Sequence, residues 1–440
     1  MLRRSLGTGE AGDCTNPCAC GQSRHSRSVA LQLDSLDLTP DQVRERFEWA
    51  RKRGNPAWLW PELTAGEWRE ACDRIADAAS AVLAGEKAPV LDVEPRALGI
   101  AAYTSGTGPL VGWWIEQGQL QARGEVAALL RTHLAHNRIR SERMITATRT
   151  IVESLATRGI DVAVLKGMHT GAVYFPDPAT RPASDIDLLV SRADSAGAAK
   201  ALRTNGFALA SRGSGDSSWR TAGGPDQLRS LSLVHSDDPW SVDLHWSLDV
   251  QPSAGAGTAR FDRAGPIGSA ERWPVDERAR VLEQPLLTLY LAAHASEGLQ
   301  NLTLVRLVEL VLVIRRDLER GALDWDAFLD MGKRFDALGL AWPALRLAET
   351  LVPGTVPDPV LARCERSAPS AARRVISPLT PASAQRIGGL SVAEHFMWSR
   401  GITGRLRQFA ADAVPSVSPV EFARIYSRRI RQLLSGRVSR

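Results

Sequence analysis

Asp185-Ile186-Asp187 heads the apolar run Leu188-Leu189-Val190, and this short stretch constrains the chain more than any other. Side chains alternate along a strand, so the two carboxylates project from one face while Ile186 and Leu188 enter the other. Two anions side by side repel each other. At the start of a buried strand they are costly unless cations neutralise them, and hard divalent ions such as Mg2+ prefer carboxylate oxygens. A polar strand entrance beside a loop is the competing reading of the same pair. Ser241-Val242-Asp243-Leu244-His245-Trp246 repeats the alternation, with Asp243 and His245 on one face and Val242 and Leu244 on the other. If the two strands are neighbours, three carboxylates converge, as a two-metal clamp on an attacking and a leaving oxygen requires. His245 is read either as a half-buried core histidine or as a group supporting the acids.

Upstream, Leu165-Lys166-Gly167 ends one apolar strand pattern and opens a helix. Glycine permits close backbone approach, a helix N-terminus offers unpaired N–H donors, and a lysine there can meet a phosphate. The chain has only five lysines among 54 basic residues, which singles out Lys166. The alternative is a helix boundary with a solvent-facing lysine. Arg181, in the proline-rich loop before Asp185, is read either as a phosphate ligand or as a cap of that loop.

Periodicity divides the 440 residues. Residues 1–35 read as a disordered leader, and residues 36–158 as an N-terminal helical region. Its first helix is capped by Thr39 with Pro40 at the first position, and its second opens on a Thr64–Glu67 capping box and closes at Gly85. At Gly159 the period changes. Residues 159–250 read as an α/β core: IDVAVLKG is a strand, MHTGAVYF a short helix, DIDLLV a strand, residues 191–206 a helix and FALAS a strand. Residues 211–229, rich in Ser and Gly, read as a loop, and SLSLVHS with SVDLHWSL as an antiparallel hairpin around residues 237–240. Beyond Trp273 the strand patterns stop, and residues 274–366 read as a helical bundle. Residues 367–440 form a linker and basic C-terminal helices.

The order strand, Lys-Gly, helix, proline-rich loop, DID strand and distant VDLHW strand resembles the polymerase-β-like nucleotidyltransferase superfamily. The chain is most similar to a bacterial family of uncharacterised nucleotidyltransferases, through GIDVAVLKG, YFPDP, RPASDIDLLV, LRTNGF and VDLHW, over roughly residues 120–355. The resemblance implies an α+β fold: a small mixed-sheet nucleotidyltransferase core flanked by N-terminal and C-terminal helical regions. It implies Asp185, Asp187 and Asp243 as catalytic metal ligands, Lys166 and Gly167 near the nucleotide phosphates, and Arg181 beside the site, and His245 is expected among the nucleotide-binding residues with them. Two Mg2+ ions and an NTP substrate follow from it, with a small molecule or a modified peptide as acceptor. Met168 follows the glycine where the superfamily carries serine, so that hydroxyl contact is missing. Two rival functions stand beside this one: a catalytically silent nucleotide-binding accessory protein, and an enzyme that modifies RNA ends.

The RNA reading draws on residues 400–440, which hold nine Arg against Asp412 and Glu421 and leave the rest of the chain near neutrality. A basic helix of this kind touches acidic partners or nucleic acid, or is simply solvated. Apolar residues at 44% and charged ones at 23% match folded globular proteins. The longest uncharged stretch is broken by Gly, Ser, Thr and Pro, so no membrane span is expected. The N-terminus lacks the apolar run of a signal peptide, and a cytoplasmic location is expected. Cys14, Cys18 and Cys20 cluster without the paired knuckles of a structural zinc site. From repulsion alone, Asp187→Asn is expected to keep or raise the stability of the metal-free protein. Lys166→Ala is expected to leave stability unchanged.

Overall fold

The computed structural model describes residues 45–46, 63–224, 236–261, 271–298, 302–383, 394 and 396–413. The leader, Cys14, Cys18, Cys20, most of the first helical pattern, residues 230–235 of the expected hairpin and the basic segment 417–440 lie outside them.

Among the described residues from 63 onward four helices come first: α1 (Ala65–Ala84), α2 (Pro95–Thr104), α3 (Gly108–Glu116) and α4 (Gly124–Ala156). The capping box is present, with the Thr64 hydroxyl accepting from the Glu67 N–H and the Glu67 carboxylate accepting from the Thr64 N–H. Gly85 closes α1 in the left-handed region at φ 74°, where glycine carries no Cβ penalty. The strand β1 (Val162–Val164) and the short helix α5 (Lys166–Val173) follow. Next come β2 (Asp185–Val190), α6 (Ser195–Thr204), β3 (Phe207–Arg212), β4 (Asp216–Thr221) and β5 (Ser241–His245). A small pair, β6 (Asp249–Val250) and β7 (Ala259–Arg260), precedes β8 (Arg272–Trp273) and β9 (Asp276–Arg280).

The main sheet has seven strands in the order β3-β4-β5-β2-β1-β9-β8 and is mixed. β2 pairs antiparallel with β1 and parallel with β5, which fixes the neighbour relation that the acids require. Two expectations are corrected here. Residues 216–221 are a strand and not a loop: β4 is the antiparallel partner of β5, whose other side is taken by β2. The sequence DSSWRT hides this strand because only Trp219 carries an apolar signal, facing Val242 across the pair. Strands also continue past Trp273, since β9 covers the far side of β1 in parallel.

One face of the sheet packs Val162, Val164, Ile186, Leu188, Val242 and Leu244 against Met144, Ile151 and Val152 of α4 and Leu202 of α6. The other face, with Ala163, Leu165 and Leu189, joins a larger core shared by helices from both ends of the chain. That core contains Ile75, Leu98 and Leu110 from α1–α3. It also contains side chains of α7 (Leu286–Ala295), α8 (Leu304–Glu319), α9 (Trp325–Arg334), α10 (Leu338–Leu351), α11 (Asp358–Ser367) and α12 (Ser370–Ile376). A further helix, α13, spans Gly401–Ala413. Among the described residues no helix is long and apolar enough to cross a membrane. The acids therefore face the seam between sheet and helices, within reach of side chains more than a hundred residues away.

Candidate active site

Asp187 lies directly opposite Asp243 in the parallel register, and Asp185 sits two residues back on the same face. One oxygen from each of the three carboxylates falls within 4.8 Å of the other two. Their aliphatic neighbours Ile186, Leu188, Val242 and Leu244 are fully buried on the opposite face, so the alternation read from the sequence holds in both strands. Asp187 is buried, while Asp185 and Asp243 are half-buried toward the cleft. The three acids are not electrostatically equivalent. Burial, then the charge on Asp187, pushes the Asp185 carboxyl above its ordinary value. Burial also opposes ionisation of Asp187, but Lys166 and a hydrogen bond from His245 outweigh it and hold that carboxyl well below the usual range. Asp243 Oδ1 is buried without a hydrogen-bond partner among the described residues.

Lys166 opens α5 with its side chain turned inward. Its Nζ lies 3.0 Å from Asp187 Oδ1 and 2.9 Å from His294 Nε2. Desolvation works against its charge, yet Asp187 more than restores it and raises the lysine above its ordinary value. His294, on α7, is held neutral by burial and by Lys166, near about 4. Its Nε2 therefore accepts from Lys166 while Nδ1–H donates to Glu297 Oε2 at 3.2 Å, and its ring stacks on Tyr290 at 5.7 Å. On the other flank His245 Nε2 lies 3.1 Å from Asp187 Oδ1. The result is a chain Glu297–His294–Lys166–Asp187–His245 that orients one carboxylate of the three.

Gly167 and Arg181 come together, but on each other. A Cβ at Gly167 would meet Arg181 Nη1 at 3.2 Å. The Arg181 guanidinium is buried and grips Glu309 of α8 with Nε at 3.1 Å and Nη2 at 3.0 Å, and Thr170 of α5 donates to the same carboxylate. Arg181 thus ties the loop before β2 to α8 and lies in a bidentate ion pair, the stronger form of such contacts. Neither His294 nor Glu309 was singled out in the sequence. The available signal was one histidine in the apolar helix LLTLYLAAH and one acid in LVRLVELVLVI.

Arg140 on α4 is a further residue the motifs do not mark. Its buried guanidinium donates to Asp238 O at 2.6 Å, to Ala183 O at 3.1 Å and to Pro239 O at 3.4 Å. One side chain therefore fastens the loops that enter both acid-bearing strands. A lysine ammonium cannot span three carbonyls held by a planar fork. Arg140→Lys is expected to lower kcat/KM about tenfold or more by misplacing the acids, in keeping with the cost of small displacements at reacting centres. Steady-state kinetics beside a melting curve check this, and wild-type kinetics in a well-folded variant would contradict it.

A mixed sheet that presents three converging carboxylates from two parallel neighbouring strands, with helices on both faces, defines a helix-flanked nucleotidyltransferase core in an α+β protein. The chain belongs to the uncharacterised nucleotidyltransferase family, whose model matches residues 93–353. That match takes in α2 and α3, ahead of the span in which the motifs were recognised. No curated protein and no solved structure matches the chain. Membership makes this an enzyme of nucleotidyl transfer, with an NTP as substrate.

Proposed function

We propose that the chain moves a nucleoside monophosphate from an NTP to an acceptor, releasing pyrophosphate, with divalent metal held by Asp185, Asp187 and Asp243. The observation that carries this reading is the orphaned Asp243 Oδ1 beside two further carboxylates. A buried carboxylate oxygen without a donor is costly, and three all-oxygen ligands are the donor set that Mg2+ prefers. Bound there, Mg2+ would neutralise the developing phosphate charge and align the attacking and leaving oxygens. The chain's own part is positioning. Lys166 and His245 hold Asp187 in one orientation, Arg140 and Arg181 hold the loop before β2, and the half-buried Asp185 and Asp243 face the reactants. The acceptor oxygen bonds to the α-phosphorus as the bond to the β-phosphate bridging oxygen breaks, and the acceptor proton passes to the carboxylate cluster or to water. In this reading Lys166 serves the phosphates only through Asp187.

Asp243→Asn is the sharpest test, because Asp243 Oδ1 has no partner to lose among the described residues. Metal-dependent pyrophosphate release should fall on the order of 100-fold or more, and weakened Mn2+ binding should accompany it. The melting temperature without metal should stay within a few degrees of wild type. Unchanged Mn2+ affinity in a folded Asp243→Asn protein would remove the metal-site reading.

A further inference from the structure

A cavity of about 380 Å3 opens beside the acids, walled by the end of α2 and its following turn, by α4, by Pro182 to Ser184 before β2, by Asp238 and Pro239 before β5, and by Thr303. Ser184 immediately precedes Asp185, so one wall is continuous with the acid strand. We propose that this cavity is the acceptor subsite and takes one neutral, polyhydroxylated small molecule. The inference rests on the nucleotidyl-transfer reading above and names the substrate class for that same site.

Three observations select this occupant. The first is charge. A polyphosphate needs cations, and of those acting on the acids Lys166, Arg181 and Arg306 lie outside the cavity wall, which holds only Arg140. The cation in the wall, Arg140, aims its hydrogen bonds at three backbone carbonyls, while Asp238 adds a carboxylate that disfavours anions. The second is hydrogen-bonding chemistry. The hydroxyls of Ser184 and Thr303 make no hydrogen bond among the described residues, and Thr303 heads α8 without a side-chain bond to it. Thr104 donates its hydroxyl proton to Ala101 O and keeps its acceptor lone pairs. Neutral donor–acceptor groups of this kind match the hydroxyls of a polyol. The third is size: the volume falls within the roughly 300–1,000 Å3 of ordinary small-molecule sites, and Pro182, Pro239 and Tyr103 supply flat faces against which a ring packs. In the transfer, one hydroxyl oxygen of this molecule forms the new bond to the α-phosphorus, pyrophosphate leaves, and the hydroxyl proton goes to the carboxylates or to water.

The test incubates the full-length protein, Mg2+ and α-labelled NTPs with a small-molecule extract of the native host, split on an anion exchanger into flow-through and bound fractions, with total RNA as a third sample. Label should enter the flow-through fraction, and periodate treatment of that fraction, which cleaves vicinal diols, should abolish the product. Thr303→Trp and Thr104→Phe fill the cavity from two separate walls, so one suffices if the other does not fold. Each should raise the acceptor KM at least tenfold while changing the NTP KM by less than threefold. Label in the bound fraction or in RNA, a periodate-resistant acceptor, or a wild-type acceptor KM in a folded cavity variant overturns the acceptor assignment. Absence of label from every sample with wild-type protein instead overturns the transfer reading beneath it.

Discussion

Asp187→Asn should abolish activity and lower the melting temperature, and Asp185→Asn should abolish activity without that loss. Like-charge repulsion taken alone places both substitutions on the stabilising side. The structure reverses the sign for Asp187 because this carboxylate is the counter-ion of a buried lysine at 3.0 Å and the acceptor of His245 at 3.1 Å. Neutralising it leaves Lys166 buried with its nearest charge partner gone, a change that costs about 3–5 kcal/mol at such sites. Asp185 has no such partner at ion-pair distance among the described residues, and burial and Asp187 already push its carboxyl upward. Removing its charge relieves repulsion, so the metal-free protein should melt at the wild-type temperature or above. Pyrophosphate release should fall on the order of 100- to 1,000-fold or more in both variants. Calorimetry of the two proteins without metal separates the cases, and an Asp187→Asn protein more stable than wild type would show that repulsion outweighs the Lys166 pair.

The second large effect belongs to Lys166. Lys166→Ala should destabilise the fold by about 3–5 kcal/mol, since it strands the Asp187 carboxylate at 2% exposure, and this replaces the expectation of an unchanged melting temperature. The penalty has a pH signature. Asp187 is held below the usual carboxylate range, so its ionised form contributes stability above the unfolded value near pH 4 and loses that contribution as pH falls further. The Lys166→Ala deficit should therefore be full at neutral pH and shrink on acidification. Adding Asp187→Asn to Lys166→Ala should recover much of the loss, because the double variant buries no unpaired charge, and the coupling is read from a double-mutant cycle. Additive losses would mean that the two side chains do not neutralise each other. His294→Leu removes an acceptor from the lysine but leaves the ion pair, so its stability cost should be smaller.

Periodicity is local, and the features it governs were legible. DIDLLV and VDLHW each declare which side chains share a face, because alternation follows from strand geometry whatever the partner strand is. The Thr64–Glu67 box declares the start of α1 because both partners lie within one turn. The change of period at Gly159 likewise separates the long helix α4 from β1. Apolar alternation failed where it was absent: β4 is held by its ladder to β5 and by one tryptophan, so DSSWRT read as loop.

Partner choice among charged side chains was not legible. Lys166 meets His294 across 128 residues, Arg181 meets Glu309 across the same span, and Arg140 reaches Asp238 across 98. In sequence, Lys166 and Arg181 carried the same signal as phosphate ligands, a cation beside a glycine or proline near an acid strand. Folding assigned them to buried carboxylates because a charge removed from water must find an opposite charge or a polar group, and the helices that supply those groups pack against the sheet only in the tertiary structure. The sequence by itself determined that the three carboxylates lie on one face of each of two strands, opposite the aliphatic side chains. That the strands are parallel neighbours, and that one acid is neutralised while another oxygen is left without a donor, was decided by long-range packing, because no local pattern carries the energy of a contact between distant segments.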